Sequence, residues 1–197
     1  MDVGVSEAEE FLGEGLGLDV RDVELIGVGA WSRCFGYRAA DDDFVVRFGD
    51  YVDDFEKDRR ARAYAGPDLP IPEVLDIGEA FHGYYAISSR AAGSPLESCT
   101  TEEWSRLVEP LVGVFEALRT AKVPEASGWG GWDGQGRAMH LGWRDFLLAV
   151  EGDGPDRRTH GWRGKLRESP TGDASFRWGY GLLGEVATND EIGRAHV

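Results

Sequence analysis

The stretch from Val23 to Phe48 constrains the fold more than any other. The runs "VELIGV" and "CFGYRA" flank a turn with glycines, and "DFVVRF" follows the polar turn "ADDD". Short β-forming runs joined by tight turns predict an antiparallel meander. In the third run the period of two sends Val46 and Phe48 to one face and Arg47 to the other. "YVDDFEKDRRARAYAG" then has helical composition closed by a glycine, and "PDLPIPEVLDIGEAFHGYYAISSRAAG" returns to β structure with a turn at "FHGY". The order β-β-β-α-β-β predicts an α+β lobe, a sheet of about five antiparallel strands with one helix packed on it. Ahead of it, Ser6 and Glu9 have capping-box spacing and predict a short helix ending in "GEGLG".

Past Gly93 the character changes. Thr100 and Glu103 repeat the capping-box spacing, and Trp104, Leu107, Val108, Leu111, Phe115 and Leu118 share one face of a long amphipathic helix despite Pro110. "EASGWGGWDGQGRAMHLG" reads as a Gly/Trp-rich loop, "WRDFLLAV" as a short helix with Asp145 an ordinary member of it, and "EGDGPDRRTHGWRGKLRESPTGD" as polar and irregular. A last helix falls around "ASFRWGYGLLGEVA", weakened by its three glycines. These readings divide the chain into a first lobe over 1–92 and the start of a helical second lobe over 93–190.

A chain of 197 residues, 42 % hydrophobic, has enough apolar material for one domain or two small lobes. Its formal charge of -15 with no basic stripe argues against nucleic-acid binding. Such a charge suits a cationic ligand, and equally serves solubility. The acidic N-terminus lacks the pattern of a signal peptide, and no stretch approaches the roughly 18 apolar residues of a membrane span, so the expectation is a cytoplasmic protein. Cys34 and Cys99 are too few and too far apart for a disulfide framework or a zinc cluster and are expected as reduced, structural thiols.

A kinase-type fold places a glycine hairpin over nucleotide phosphates, a cation on the third strand, and an acid on the next helix that holds that cation. Gly27 and Gly29, then Arg47, then Glu56 or Asp58 occur here in that order. The two acids lie two residues apart and cannot face one partner. With "GVGAWSRCF", "FVVRFG", "FEKDRRARAYAGPDLPIPEVLDIGE", "ISSRAAG" and "WRDFLLAV", the chain resembles the aminoglycoside phosphotransferase family, and within it the hygromycin B phosphotransferases, from about Val23 through Val150.

The resemblance implies a bilobal protein-kinase-like fold with ATP and magnesium between the lobes and a cationic aminoglycoside as acceptor. It implies that Gly27, Gly29 and Ser32 lie against the phosphates and that Arg47, in place of the usual lysine, pairs with them. Asp58, not Glu56, matches the family's helix acid. Ser89, Arg90 and Ala91 match the hinge whose backbone groups bind adenine.

The family also supplies an acceptor base and a second magnesium-binding acid from an "H-x-D" segment ending in Asn and an "I-D" strand, and neither motif is present. None of His82, His140, His160 and His196 is followed two residues later by Asp. The terminal "EIGRAHV" reads as the translation of a sequencing-library adapter. The expectation is therefore a C-terminally truncated phosphotransferase, 191–197 being an artefact, with no catalytic residues, an incomplete magnesium site and no activity of its own. A non-catalytic nucleotide-binding pseudokinase and a kinase for another small alcohol are the alternatives. Truncation also predicts an exposed apolar patch on helix 101–120 and poor order beyond Gly152.

Overall fold

A computed structural model describes residues 1–121 and 128–186, which fall into two compact units, 1–121 with 133–136 and 128–132 with 137–186. The segment 191–197, read above as an artefact, lies outside the described residues.

The first unit is built on the expected five-stranded antiparallel sheet. Its strands are β1 (Val20–Val28), β2 (Ser32–Ala39), β3 (Asp42–Gly49), β4 (Val74–Ala80) and β5 (Gly83–Ser89), in the spatial order β1-β2-β3-β5-β4. The register sets Phe35 opposite Val46 and Val46 opposite Ile87; one residue along, Cys34 stands opposite Arg47 and Arg47 opposite Ala86. Alternation makes these two rows opposite faces of the same sheet.

The first face is the core. Phe35, Tyr37, Val46, Phe48, Tyr85 and Ile87 are buried there against Val3, Ala8 and Leu12. The cover is the N-terminal helix α1 (Val5–Glu10), which runs on through a π-helical turn over Phe11–Gly15. Phe11 meets Phe48 and Tyr85 edge-on at 5.4 and 5.0 Å between ring centroids. The cap is displaced from the expected Ser6 and Glu9: Gly4 is the N-cap, and its N–H donates to the Glu7 carboxylate at 2.7 Å. Glycine has no side chain to offer as a cap, so the glutamate alone satisfies an otherwise orphaned donor.

The second face carries α2 (Val52–Ala61). Its charges follow the helix dipole, with Asp53 and Asp54 in the first turn and Arg59 and Arg60 in the last. Phe55 is the residue it buries. The long helix α3 (Thr101–Thr120) begins in the expected box, Thr100 Oγ1 accepting from Glu103 N–H at 3.3 Å and the Glu103 carboxylate accepting from Thr100 N–H at 2.7 Å. None of its residues is buried, and Phe115 is 63 % exposed. The apolar patch expected on this helix is thus present, although Leu107 and Leu111 are half-buried.

The second unit departs further from expectation. Part of the expected loop is a hairpin, β6 (Trp129–Trp132) with β7 (Ala138–His140), followed by α4 (Trp143–Leu148). Gly128 stands at the open end of this hairpin with φ +143°, and a Cβ there would clash with the His140 carbonyl oxygen. Past Gly152 the expected last helix is α6 (Gly172–Val186), and a further short helix, α5 (Trp162–Arg167), lies in the stretch read as polar and irregular. Local polar side chains hold the loop before α5: Asp153 accepts from the N–H groups of Gly161 and Arg163 at 2.6 and 3.3 Å, and Trp162 Nε1 donates to the Gly152 carbonyl at 3.0 Å. The composition is polar because its carboxylates and guanidinium groups satisfy the backbone.

Two predictions follow from the core face. Leu12→Ala should lower unfolding free energy in urea by about 2–5 kcal/mol, since Leu12 is fully buried between helix and sheet. Burial pushes the Tyr37 phenol from 10.0 up to about 12. The folded state therefore holds this proton more tightly than the unfolded chain. Stability from that group is intact below about pH 10 and is lost as pH rises toward about 12. Tyr37→Phe should flatten the alkaline part of the stability curve; an unchanged slope would contradict the burial.

Candidate nucleotide site

Gly27 sits in the last turn-ward residues of β1, and Gly29 opens the hairpin, its N–H donating to the Ser32 carbonyl at 2.8 Å. Neither has a left-handed φ. A Cβ at Gly27 would meet the Cys34 Cβ at 3.9 Å, and one at Gly29 would meet Ser32 oxygens at 3.5 and 3.6 Å, all ordinary contacts. Neither the bend nor the packing requires these glycines, and they leave a strip of backbone uncovered on the hairpin.

Arg47 lies two strands away on the second face, and its guanidinium donates to the Asp58 carboxylate on α2. The guanidinium also lies over the Phe55 ring at 4.8 Å. Burying Phe55 places α2 so that Asp58, one turn further on, reaches the strand. Glu56 points elsewhere and pairs with Arg59 at 3.5 Å. Of the two acids in the sequence, the structure thus puts Asp58 on Arg47.

Around this pair is a pocket of about 240 Å³ whose walls include Trp31, Ser32, Arg47, Lys57 and Asp58. Trp31, at the hairpin tip, contacts Tyr51 just before α2 at 6.2 Å between ring centroids. Lys57 is paired with Asp54 at 3.2 Å. The pocket therefore joins the tip of the hairpin, a hydroxyl and two cations that are each held by a carboxylate, a donor set suited to phosphate oxygens.

Ser89 and Ala91 lie away from this pocket, at the end of β5, where with Arg62 and Ile71 they help line a separate cavity of about 770 Å³. In the segment expected as the hinge, two backbone N–H groups are already engaged. Ser89 N–H donates to the Glu73 carbonyl at 3.0 Å and Arg90 N–H to the Asp43 carbonyl at 3.1 Å. Among the described hydrogen bonds, the Ala91 N–H is not engaged in this way.

Sequence reading missed the setting of Cys34. Read as a structural thiol, it stands between Gly27 and Arg47 in the register of the sheet. Burial pushes the thiol up from its ordinary value, while the Arg47 charge and a hydrogen bond with Ser32 pull it partly back. The alternation that assigned Arg47 to its face assigns Cys34 to the same face once the β2–β3 register is known. Both cysteines are free thiols. Among the described residues, no group of three or more His, Cys, Asp or Glu side chains is placed to hold a metal ion, and no helix is long and apolar enough to cross a membrane.

No family model matches the chain. It is 35 % identical over 147 residues to hygromycin-B 4-O-kinase of Escherichia coli, an alignment that takes in 74 % of this chain and 43 % of that protein. Among solved structures it is similar to a thermostable mutant of aminoglycoside phosphotransferase APH(4)-Ia in its apo form, with TM-score 0.77 and 32 % identity over 92 % of this chain and 61 % of that one. It is similar also to a ternary complex of such a mutant with AMP-PNP and hygromycin B, with TM-score 0.72 and 34 % identity over 85 % of this chain and 55 % of that one. The chain thus spans less than half the length of the curated relative it matches and somewhat over half of these structures.

The Arg47 setting can be checked without any ligand. In a Cys99→Ser background, Arg47→Met should move the alkylation profile of Cys34 to higher pH, because the cation that favours the thiolate is gone. An unchanged profile would place Arg47 away from Cys34.

Proposed function

Since this chain belongs to the aminoglycoside phosphotransferase family and has its protein-kinase-like fold, we propose that its first unit is the nucleotide-binding part of an ATP-dependent phosphotransferase acting on an aminoglycoside hydroxyl. Hygromycin B is the acceptor this reading favours, because hygromycin-B 4-O-kinase is the curated relative. The single observation that carries the reading is the Arg47 to Asp58 contact beside a glycine hairpin that the protein's own packing does not demand.

In this reading the triphosphate enters the pocket of Ser32, Arg47 and Lys57. Arg47 presents a planar fork, one arm fixed by Asp58, and its remaining donors take phosphate oxygens. Asp58 is a positioning residue: it holds the guanidinium against Phe55 so that little reorganisation is needed when charge arrives. Gly27 and Gly29 let the backbone N–H groups approach the phosphates without an intervening side chain. Ser32 adds a hydroxyl or its own N–H. At the other end, the Ser89 carbonyl and the Ala91 N–H are the hinge groups for the adenine edge.

Magnesium would offset the charge of the phosphates in such a site. The described residues do not by themselves form a site for it: Asp58 is committed to Arg47, and no cluster of three ligating side chains is present among them. The sequence likewise holds no His-x-Asp, so it offers no acceptor base of the family's kind. Binding without transfer is therefore the activity proposed for these 197 residues, with phosphorylation and the resulting antibiotic resistance belonging to a longer, cytoplasmic enzyme. The acidic surface, at formal charge -15, suits a polycationic acceptor.

The test is a titration of the purified chain with ATP, followed by an assay for phosphate transfer to hygromycin B. The chain should bind ATP, lose at least about ten-fold in affinity on Arg47→Ala, and transfer no phosphate. Full affinity in Arg47→Ala would remove the site; measurable transfer would remove the claim of binding alone.

A further inference from the structure

The open face of the sheet carries a second arginine–carboxylate pair. Arg90, just past β5, reaches back across the sheet to Glu24 of β1 at 2.9 Å. Between them lies Gly36 of β2. A Cβ there would come within 2.5 Å of Arg90 Nη1 and 2.9 Å of its Cζ, so the guanidinium rests on bare backbone. Gly36 stands opposite Val45, and Val45 opposite Ser88. That row is two strand residues from the row of Cys34, Arg47 and Ala86, roughly 7 Å away on the same face.

The two pairs therefore bracket a short strip of the face. Its surface is Cys34 and Val45, with Ala86 buried at its floor and Ile26 beside Gly36, and none of these is charged. A narrow apolar strip between two guanidinium groups suits a flat aromatic ring with phosphates at one end only. The backbone next to Arg90 is fixed as well, by the hydrogen bonds from Ser89 N–H to Glu73 and from Arg90 N–H to Asp43.

We propose that Arg90, pinned by Glu24 onto Gly36, is the positioning residue of the base end of the nucleotide site, closing the strip so that a purine ring is held between it and the Arg47 row. The assignment rests on the nucleotide reading above. Arg90 then acts on the base and Arg47 on the phosphates, and the two contributions are separable. Gly36 is the glycine that lets the clasp close.

The experiment titrates the full 197-residue chain with adenosine, inorganic tripolyphosphate and ATP. Arg90→Ala should weaken adenosine and ATP by the same factor, about five-fold, and leave tripolyphosphate unchanged. Gly36→Ala, which displaces the guanidinium without removing it, should do the same. Arg47→Ala should weaken tripolyphosphate and ATP more than adenosine. A loss for all three ligands in Arg90→Ala and Gly36→Ala would show a merely structural role and overturn the proposal, as would adenosine affinity unchanged in both. If the unaltered chain takes up neither adenosine nor ATP, the nucleotide reading itself fails, and this proposal with it.

Discussion

Arg47 occupies the middle strand of the sheet between two residues, Val46 and Phe48, that are completely buried. A charge there survives only because its side chain leaves by the other face, where Asp58 receives it. Both partners of the pair are partly exposed, 30 % and 47 % for their side chains, so its contribution to stability is small. What the pair supplies is position. It fixes the angle of α2 against the sheet, and through Phe55 and Trp31 it shapes the pocket under the hairpin.

The rest of the first unit follows from keeping the two faces different. One is sealed by aromatic and aliphatic side chains beneath the N-terminal segment, and most of the unit's hydrophobic stabilisation resides there. The other is only partly covered, and its charged groups are paired: Arg47 with Asp58 and Arg90 with Glu24 across elements, and Lys57 with Asp54 within α2. A core concentrated on one face leaves the opposite face available for a ligand at little cost to folding.

Much of this was legible in the sequence. Alternation around Arg47 gave its face, the turns gave the meander, and Asp58 was separated from Glu56 by helix spacing and family resemblance. Features set by register or by distant packing were not legible. Nothing local marks Leu12 or Phe11 as the cover of the core, because a six-residue helix running into a π turn has no period long enough to read. The clasp of Arg90 on Glu24 joins residues 66 positions apart through a glycine between them, and neither charge declares its partner. In the second unit, the polar stretch after Gly152 reads as loose chain because its hydrogen bonds are specific to geometry, as with Asp153 and the N–H groups of Gly161 and Arg163. The hairpin at Trp129–Trp132 was hidden for a related reason, its glycines answering to φ and to close backbone approach.

Amide hydrogen exchange with and without AMP-PNP tests the central claim most directly, since it reports where a nucleotide touches the backbone rather than whether something binds. Protection should rise at the hairpin from Gly27 to Ser32 and at Ala91, and stay unchanged in the N-terminal cover from Val5 to Gly15 on the opposite face. Protection confined to other segments, with the hairpin and Ala91 unaffected, would contradict the assignment of the open face as the nucleotide site.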